Sequence, residues 1–163
     1  MEKVRILGEE EITQLVPPHL RRYTVEFITN RAMSHELVRH RASASFSQES
    51  QRYVRYNDIQ FIEPVGFDNW SDRMRTSVVG HLGLTESEYQ YMVASNLKPQ
   101  QARNILPNAT ATRIIMTADR WQWEHIFKLR CGGGADPQMI DLMVPVRDEM
   151  MALWDKEQPK DIN

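Results

Sequence analysis

The 163-residue sequence has one cysteine, seven glycines and no long hydrophobic run. The single thiol, Cys131, excludes an internal disulfide framework and a zinc site built from several cysteines, and it favours a reducing compartment. No apolar stretch approaches the roughly 20 residues that a membrane-spanning helix needs, and the first residues do not read as a secretory signal. These absences favour a cytoplasmic protein that neither enters a membrane nor is exported.

The remaining composition fits one globular domain spanning residues 1–163. Hydrophobic residues make up 41% and charged residues 26%, which is near the average for folded proteins. A chain of this length buries roughly 70% of the surface that it exposes when unfolded. Twenty basic residues against 22 acidic ones give a formal net charge of −2, which argues against general affinity for nucleic acid.

Arginine is used more than lysine, and its distribution is uneven. The chain has 15 arginines and 5 lysines, and residues 21–55 contain seven arginines, no lysine and three acidic residues. Guanidinium groups are preferred where a carboxylate or phosphate is gripped by a planar pair of donors. The segment therefore raises the prospect of an anion site, although composition alone favours a solvated basic face balanced by acidic residues elsewhere.

Apolar periodicity and helix breakers predict an α+β, helix-rich domain with a small mixed or antiparallel sheet. Asn30 and Asp119 are the expected N-caps of two helices, and Thr85 with Glu88 has the spacing of a capping box. The methionines of the last helix are assigned to packing. We expect strands at 22–29, 43–53, 59–62 and 110–117, and helices at 1–16, 31–40, 70–82, 85–94, 99–106, 120–130 and 137–154.

The second predicted strand changes character along its length. One face begins with Ala44 and Phe46 and continues with Gln48, Ser50 and Arg52. A buried face that ends in an amide, a hydroxyl and a guanidinium leaves donors unpaired unless an anion such as phosphate binds there. The alternative, a strand that runs out into solvent after Phe46, fits the pattern equally well.

Two further cationic positions stand out. Arg130 continues the apolar stripe of Trp123, Ile126 and Phe127, so its guanidinium needs a carboxylate, a helix end or a ligand, although it also complements the helix dipole. The run 39–41, Arg-His-Arg, falls where a helix gives way to a strand and suits a phosphate or a flavin ring. His35 and His40 are five residues apart, which points them about 140° apart on a helix and argues against a shared metal site.

Two blocks of sequence resemble the flavin-dependent thymidylate synthase (ThyX) family, whose hallmark is Arg-His-Arg, seven residues and then serine. Here the triplet 39–41 is followed by eight residues and Ser50, within the family-like stretches RAMSHELV at 31–38 and SFSQESQRY at 45–53. The second block comprises ARNILP at 102–107, Thr110, Thr117, HIFKLR at 125–130, Ala135 and Gln138. The family's Asn-x-Arg reads Asp119-Arg120-Trp121 here, and family members usually carry a few dozen more N-terminal residues.

The resemblance implies a homotetramer that binds FAD between subunits and makes dTMP from dUMP, with methylenetetrahydrofolate as carbon donor and NADPH as reductant. No protein nucleophile is needed in such a reaction, which suits a Cys131 without an evident base partner. Arg130, Arg39 and Ser50 would be the catalytic residues, with Arg130 polarising the uracil. The implied dUMP contacts are Arg39, Gln48, Ser50, Gln51, Arg52, Arg103 and Arg130, and the implied FAD contacts are Arg39, His40, Arg41, Ser47, Gln48, Asp119 and His125.

Two related functions remain open from the sequence. The same motifs would hold a uracil and a phosphate in a flavin-dependent pyrimidine nucleotide hydroxymethylase. They would also suit a noncatalytic nucleotide-binding member of the family.

Overall fold

Four antiparallel strands form the sheet of this protein, whose computed structural model describes residues 3–7, as backbone only, and 20–156. The strands are β1 (Lys3–Leu7), β2 (Arg22–Asn30), β3 (Ala44–Gln48) and β4 (Ala111–Asp119), in the spatial order β1-β2-β4-β3. Phe27 lies opposite Ile114, and Phe46 lies opposite Met116. The prediction of an α+β domain is confirmed, and of the two sheet types considered the antiparallel one is present.

The helices are α1 (Arg31–Leu37), α2 (Asp72–Ala94), α3 (Pro99–Ala102), α4 (Arg120–Arg130) and α5 (Pro137–Lys156). Both predicted N-caps are confirmed. The Asn30 side chain accepts a hydrogen bond from the backbone N–H of Met33, and Asp119 accepts one from Gln122, each at 2.9 Å. These caps make β2 and β4 run directly into α1 and α4. Because the two strands are antiparallel, the two helices start at opposite ends of the sheet.

One face of the sheet carries the main core. Alternate residues of the central strands are buried there with α1, α4 and α5 against them. The fully buried side chains include Phe27, Ile114, Met116, Trp123, Ile126, Met139, Leu142, Met143 and Met150. The methionines at 139, 143 and 150 thus pack as predicted, whereas Met151 is 52% exposed. The other face presents polar groups such as the bonded hydroxyls of Thr24 and Thr117.

A second, smaller cluster lies between α2 and the irregular segment that follows β3. It is formed by Ile59, Tyr89, Val93 and Ala102. Tyr89 and Val93 are the only buried residues of α2, although the helix is 23 residues long. Most of α2 therefore has no covering partner within the described chain.

Two predictions near the start of the chain need correction. A helix was expected over residues 1–16, but Lys3–Leu7 is a strand that pairs with β2, and most of the remainder lies outside the described residues. The strand expected over 43–53 ends at Gln48. From Ser50 the backbone turns, because the Ser50 carbonyl accepts hydrogen bonds from the N–H groups of Tyr53 and Val54. Ser50 and Arg52 therefore do not continue the face of Gln48.

Three predicted elements differ farther along the chain. Residues 59–62 form only an isolated bridge, from Phe61 to Thr110. The two helices expected at 70–82 and 85–94 are one helix, α2, because the Thr85 hydroxyl bonds the His81 carbonyl one turn earlier instead of capping a new helix. The helix expected over 99–106 is α3 followed by a 3₁₀ turn, Arg103–Ile105.

Candidate functional site

Residues 39–43, called the Arg-His-Arg loop here, run alongside α4 and are fastened to both of its ends. At one end, Arg130 Nε donates a hydrogen bond of 3.0 Å to His40 Nε2. At the other, the Ser43 hydroxyl donates to Asp119, whose carboxylate also caps α4. Because Asp119 precedes the first residue of α4 and Arg130 is its last, the loop spans the length of the helix.

Arg130, Glu36 and His40 form a partly buried polar group at the C-terminal end of α4. Arg130 Nη1 lies 2.6 Å from Glu36 Oε2, and these side chains are 19% and 27% exposed. The predicted need of Arg130 for a carboxylate is therefore met from within the chain. Burial, and then the positive charges of Arg130 and His125, lower the pKa of His40 to about 4. His40 is thus neutral near pH 7, with Nε2 as the acceptor.

Ser43 lies in the stretch of eight residues between Arg41 and Ser50 and has an irregular backbone conformation. Its φ of 53° lies in the left-handed region, which residues other than glycine rarely adopt. The conformation is held by the bond to Asp119 and by Arg22, whose Nη2 donates to the Ser43 carbonyl at 3.3 Å. After this turn Ala44, Phe46 and Gln48 lie on the core side of β3, as the alternation predicted.

The predicted flavin contacts lie mainly on this loop and on α4. Arg39, Arg41 and His125 are exposed, and His125 is close enough to His40 to affect its pKa. Asp119 is also at this place, but its two carboxylate oxygens already accept hydrogen bonds from Gln122 and Ser43. The structure therefore places His40 next to Arg130 and close to His125, although about 90 residues separate His40 from Arg130 in the sequence.

Ser47 and Gln48 occupy opposite faces of β3. Ser47 is exposed on the polar face of the sheet, away from the main core. Gln48 Nε2 donates to the Ser34 hydroxyl at 2.9 Å and to the Thr112 hydroxyl at 3.2 Å. The amide nitrogen of Gln48 is thus used within the fold, and only its carbonyl oxygen is left for a ligand.

Ser50, Gln51, Arg52 and Arg103 form a second group, called the turn cluster here. Arg52 Nε donates a 3.3 Å hydrogen bond to Gln100 on α3, and Arg103 begins the 3₁₀ turn directly after α3. Ser50, Arg52 and Arg103 are exposed. Gln51 is only 8% exposed, yet its side-chain nitrogen has no partner in the described chain. A buried amide donor without a partner is costly, and an oxygen of a polar ligand would satisfy it.

The four arginines implied as dUMP contacts are divided between these groups, with Arg39 and Arg130 at the loop and α4 and with Arg52 and Arg103 in the turn cluster. Arg130 bonds Glu36 and His40, whereas Arg52 bonds Gln100 beside Arg103. No hydrogen bond between described residues joins the two groups directly. Their use as one nucleotide site stays a prediction.

Two contributors to the site were missed by the sequence reasoning. Glu36 lies four residues before His40, so the helical spacing already places it one turn away, but its pairing with Arg130 depends on the tertiary fold. The one additional residue between Arg41 and Ser50 is a signal that could have pointed to Ser43, because an inserted residue is accommodated by a local backbone irregularity.

Neither a metal centre nor a membrane span is found in the part of the chain that the structure describes. No three His, Cys, Asp or Glu side chains there are grouped so that they could hold a metal ion. His35 is exposed whereas His40 is buried, so the two imidazoles face different surroundings. None of the described helices has both the length and the apolar character to cross a membrane.

The chain matches, over residues 19–154, a family described as thymidylate synthase complementing protein. It is similar to proteins named flavin-dependent thymidylate synthase from three bacteria. Identity is 32% with the Mycolicibacterium gilvum protein (76% of this chain, 55% of the relative), 33% with that of Mycobacterium avium (71% and 51%) and 34% with that of Geobacter sulfurreducens (80% and 55%). The chain spans about half the length of these relatives.

Proposed function

This chain belongs to the thymidylate synthase complementing protein family, and on that premise we propose that it catalyses flavin-dependent synthesis of thymidylate. The reaction is the reductive methylation of dUMP to dTMP, in which methylenetetrahydrofolate supplies the carbon and NADPH the reducing equivalents through FAD. The main support is the Arg-His-Arg loop, which is fastened along α4 with Arg130 oriented by Glu36 and His40. Such a fixed cation suits a site where negative charge develops on a pyrimidine.

The loop and α4 have side chains that fit a flavin dinucleotide. Arg39 and Arg41 are exposed cations that suit a diphosphate, and His40 is a neutral imidazole behind them. His125 is exposed on α4 beside the same loop. When bound, the flavin supplies the redox chemistry, and these side chains bind and orient it.

The turn cluster fits the nucleotide substrate. Ser50 and Arg52 present a hydroxyl and a guanidinium at a solvent-facing turn, a combination that suits the phosphate of dUMP. The amide nitrogen of Gln51, which makes no hydrogen bond in the described chain, can donate one to an oxygen of the same ligand. Arg103 adds a second exposed cation from the segment that Arg52 contacts through Gln100.

The state of Cys131 supports a route without a protein thiol. Burial raises the pKa of the Cys131 thiol, which disfavours the thiolate needed for nucleophilic attack. The positive charge of Arg130 instead polarises the uracil from a fixed position, and no covalent bond between protein and pyrimidine is required.

The function is tested with the purified full chain. We expect a flavin absorption spectrum after addition of FAD, a change in that spectrum on addition of dUMP, and dUMP-dependent oxidation of NADPH with methylenetetrahydrofolate present. Mass spectrometry should identify dTMP as the product. A chain that takes up no flavin contradicts the proposal, and a product one oxygen heavier than dTMP identifies a hydroxymethylase.

Copies of this chain are the proposed partners of α2, in a homotetramer with sites at subunit interfaces. Met74, Val79 and Leu84 are 54%, 55% and 71% exposed. Steps of five residues turn by about 500° on a helix, so these three apolar side chains point to different sides of α2. Exposed apolar side chains on several sides of one helix support contact with more than one neighbour.

Sedimentation analysis tests the assembly with a matched pair of variants on α2. Val79→Glu places a charge on an apolar position and should shift the sedimenting species toward monomer. Ser87→Glu places the same charge at an exposed polar position of that helix and should leave the distribution unchanged. A wild-type chain that sediments as a monomer at micromolar concentration contradicts the proposed assembly.

A further inference from the structure

Trp121 is an exposed indole on the surface of α4 that faces solvent beside the Arg-His-Arg loop. It is 59% exposed, which is unusual for the largest aromatic side chain unless a partner covers it. Its ring is stacked on the imidazole of His125, with centroids 6.1 Å apart and planes 9° from parallel. The two residues are four apart, so the helix itself holds them side by side.

The aromatic pair lies on α4 between Asp119 and Arg130, the two residues that bond the Arg-His-Arg loop. Trp121 is the second residue of α4 and directly follows the segment that Ser43 contacts through Asp119. His125 is one turn farther on, toward the end where Arg130 contacts His40. The pair therefore lies on α4 between the two residues that bond the loop, and His125 is close enough to His40 to help lower its pKa.

The neighbouring cation of α4 is directed elsewhere. Arg120 Nε bonds Glu124 at 2.8 Å, and its guanidinium carbon lies 4.6 Å from the centre of the Trp154 ring. The surface at the start of α4 consequently offers an aromatic ring rather than a guanidinium group. An exposed aromatic ring stacked on an imidazole has the chemistry that recognises a planar heterocycle.

We propose that Trp121, supported by His125, is a stacking site for a planar heteroaromatic ring of the dinucleotide cofactor. The inference rests on the proposed function, because it takes FAD as the occupant. The same ring chemistry is present in the adenine and in the isoalloxazine halves of FAD, and FMN and ADP separate these two sources.

The experiment compares Trp121→Ala and Trp121→Phe with the wild-type chain, and Leu129→Ala is the matched control. Leu129 lies on the same helix and is 49% exposed, but has no ring. Affinities for FAD, FMN and ADP are measured by titration calorimetry. We expect Trp121→Ala to weaken FAD binding about tenfold and Trp121→Phe to weaken it less than about threefold, because a phenyl ring still stacks. Leu129→Ala should bind FAD like the wild type.

Each outcome bears on the proposal. Weakening of ADP binding assigns the adenine half to Trp121, and weakening of FMN binding assigns the isoalloxazine half. Unchanged FAD affinity in Trp121→Ala overturns the stacking site and leaves the proposed function intact. Absence of FAD binding by the wild type overturns both. Thermal unfolding at the same midpoint as wild type shows that a loss of affinity does not come from misfolding.

Discussion

His40 of the Arg-His-Arg loop and its partner Arg130 are held by other side chains, whereas the arginines of the turn cluster face solvent. His40 is buried and bonded to Arg130, which in turn bonds Glu36. Arg52, by contrast, is exposed and makes a single side-chain hydrogen bond, to Gln100 at 3.3 Å. The difference shows that the fold preorganises His40 and Arg130. The side chains of the turn cluster, in contrast, need a ligand or a neighbouring copy to become ordered.

The largest expected effect comes from removing Arg130. Arg130→Ala leaves Glu36 without its cation and His40 without its donor, so the free energy of unfolding should fall by about 2 to 3 kcal/mol. In the proposed reaction, turnover should also fall by about 100-fold or more. Chemical denaturation and steady-state kinetics measure the two effects.

Lys128→Ala is the control for Arg130→Ala, because Lys128 is an exposed cation in the last turn of the same helix. It should lower the unfolding free energy by less than about 0.5 kcal/mol. Equal losses in both variants would contradict the view that Arg130 is held by specific contacts.

The next effect is a pH dependence that belongs to His40. Its pKa falls from 6.5 to about 4 on folding, so the unfolded chain binds more protons between these values. Stability contributed by the neutral imidazole is complete above pH 6.5 and is lost as the pH falls toward 4, by about 2 to 3 kcal/mol. Unfolding free energies at a series of pH values measure this loss.

His40→Gln should flatten that pH dependence, because the amide oxygen can still accept from Arg130 but does not titrate. His35→Gln, on the exposed side of α1, should leave it unchanged. If His40→Gln retains the full dependence, another group is responsible for it.

A smaller effect is expected at the other end of the loop. Ser43→Ala keeps a side chain in the left-handed conformation and removes the hydrogen bond to Asp119, so it should destabilise by about 1 kcal/mol. Ser43→Gly also loses the bond but removes the steric cost, so its stability should lie closer to that of wild type. Thermal melts compare them, and a glycine variant less stable than the alanine variant would contradict the explanation.

The smallest effect on stability is expected in the turn cluster. Arg52→Ala should change the unfolding free energy by less than about 0.5 kcal/mol, since the side chain is exposed. Its affinity for dUMP should nevertheless fall about tenfold if Arg52 holds the phosphate. Calorimetry with dUMP measures this, and a loss of stability as large as that of Arg130→Ala would remove the contrast between the two regions.

The sequence predicted the parts of the fold that local chemistry controls. Asn30 and Asp119 begin helices because their side chains accept hydrogen bonds from backbone N–H groups three residues later. The alternation of Tyr23, Val25 and Phe27 with polar neighbours predicted a strand over residues 22–29, and all three side chains are buried. The prediction of a strand failed for residues 49–53, because polar alternation also occurs in turns. The prediction of two helices failed for α2, because the Thr85 hydroxyl can donate to the His81 carbonyl within a continuing helix.

The sequence by itself determined which residue types this protein brings to a site and where its helices begin, because spacing, caps and motifs are local properties. Only the tertiary structure decided that Glu36 and His40 hold Arg130, that Ser43 fastens the loop to Asp119, and that Trp121 faces solvent beside it. The reason is that these contacts join residues up to 94 positions apart. Such pairings are set by the way helices and strands pack, which no short window of sequence contains.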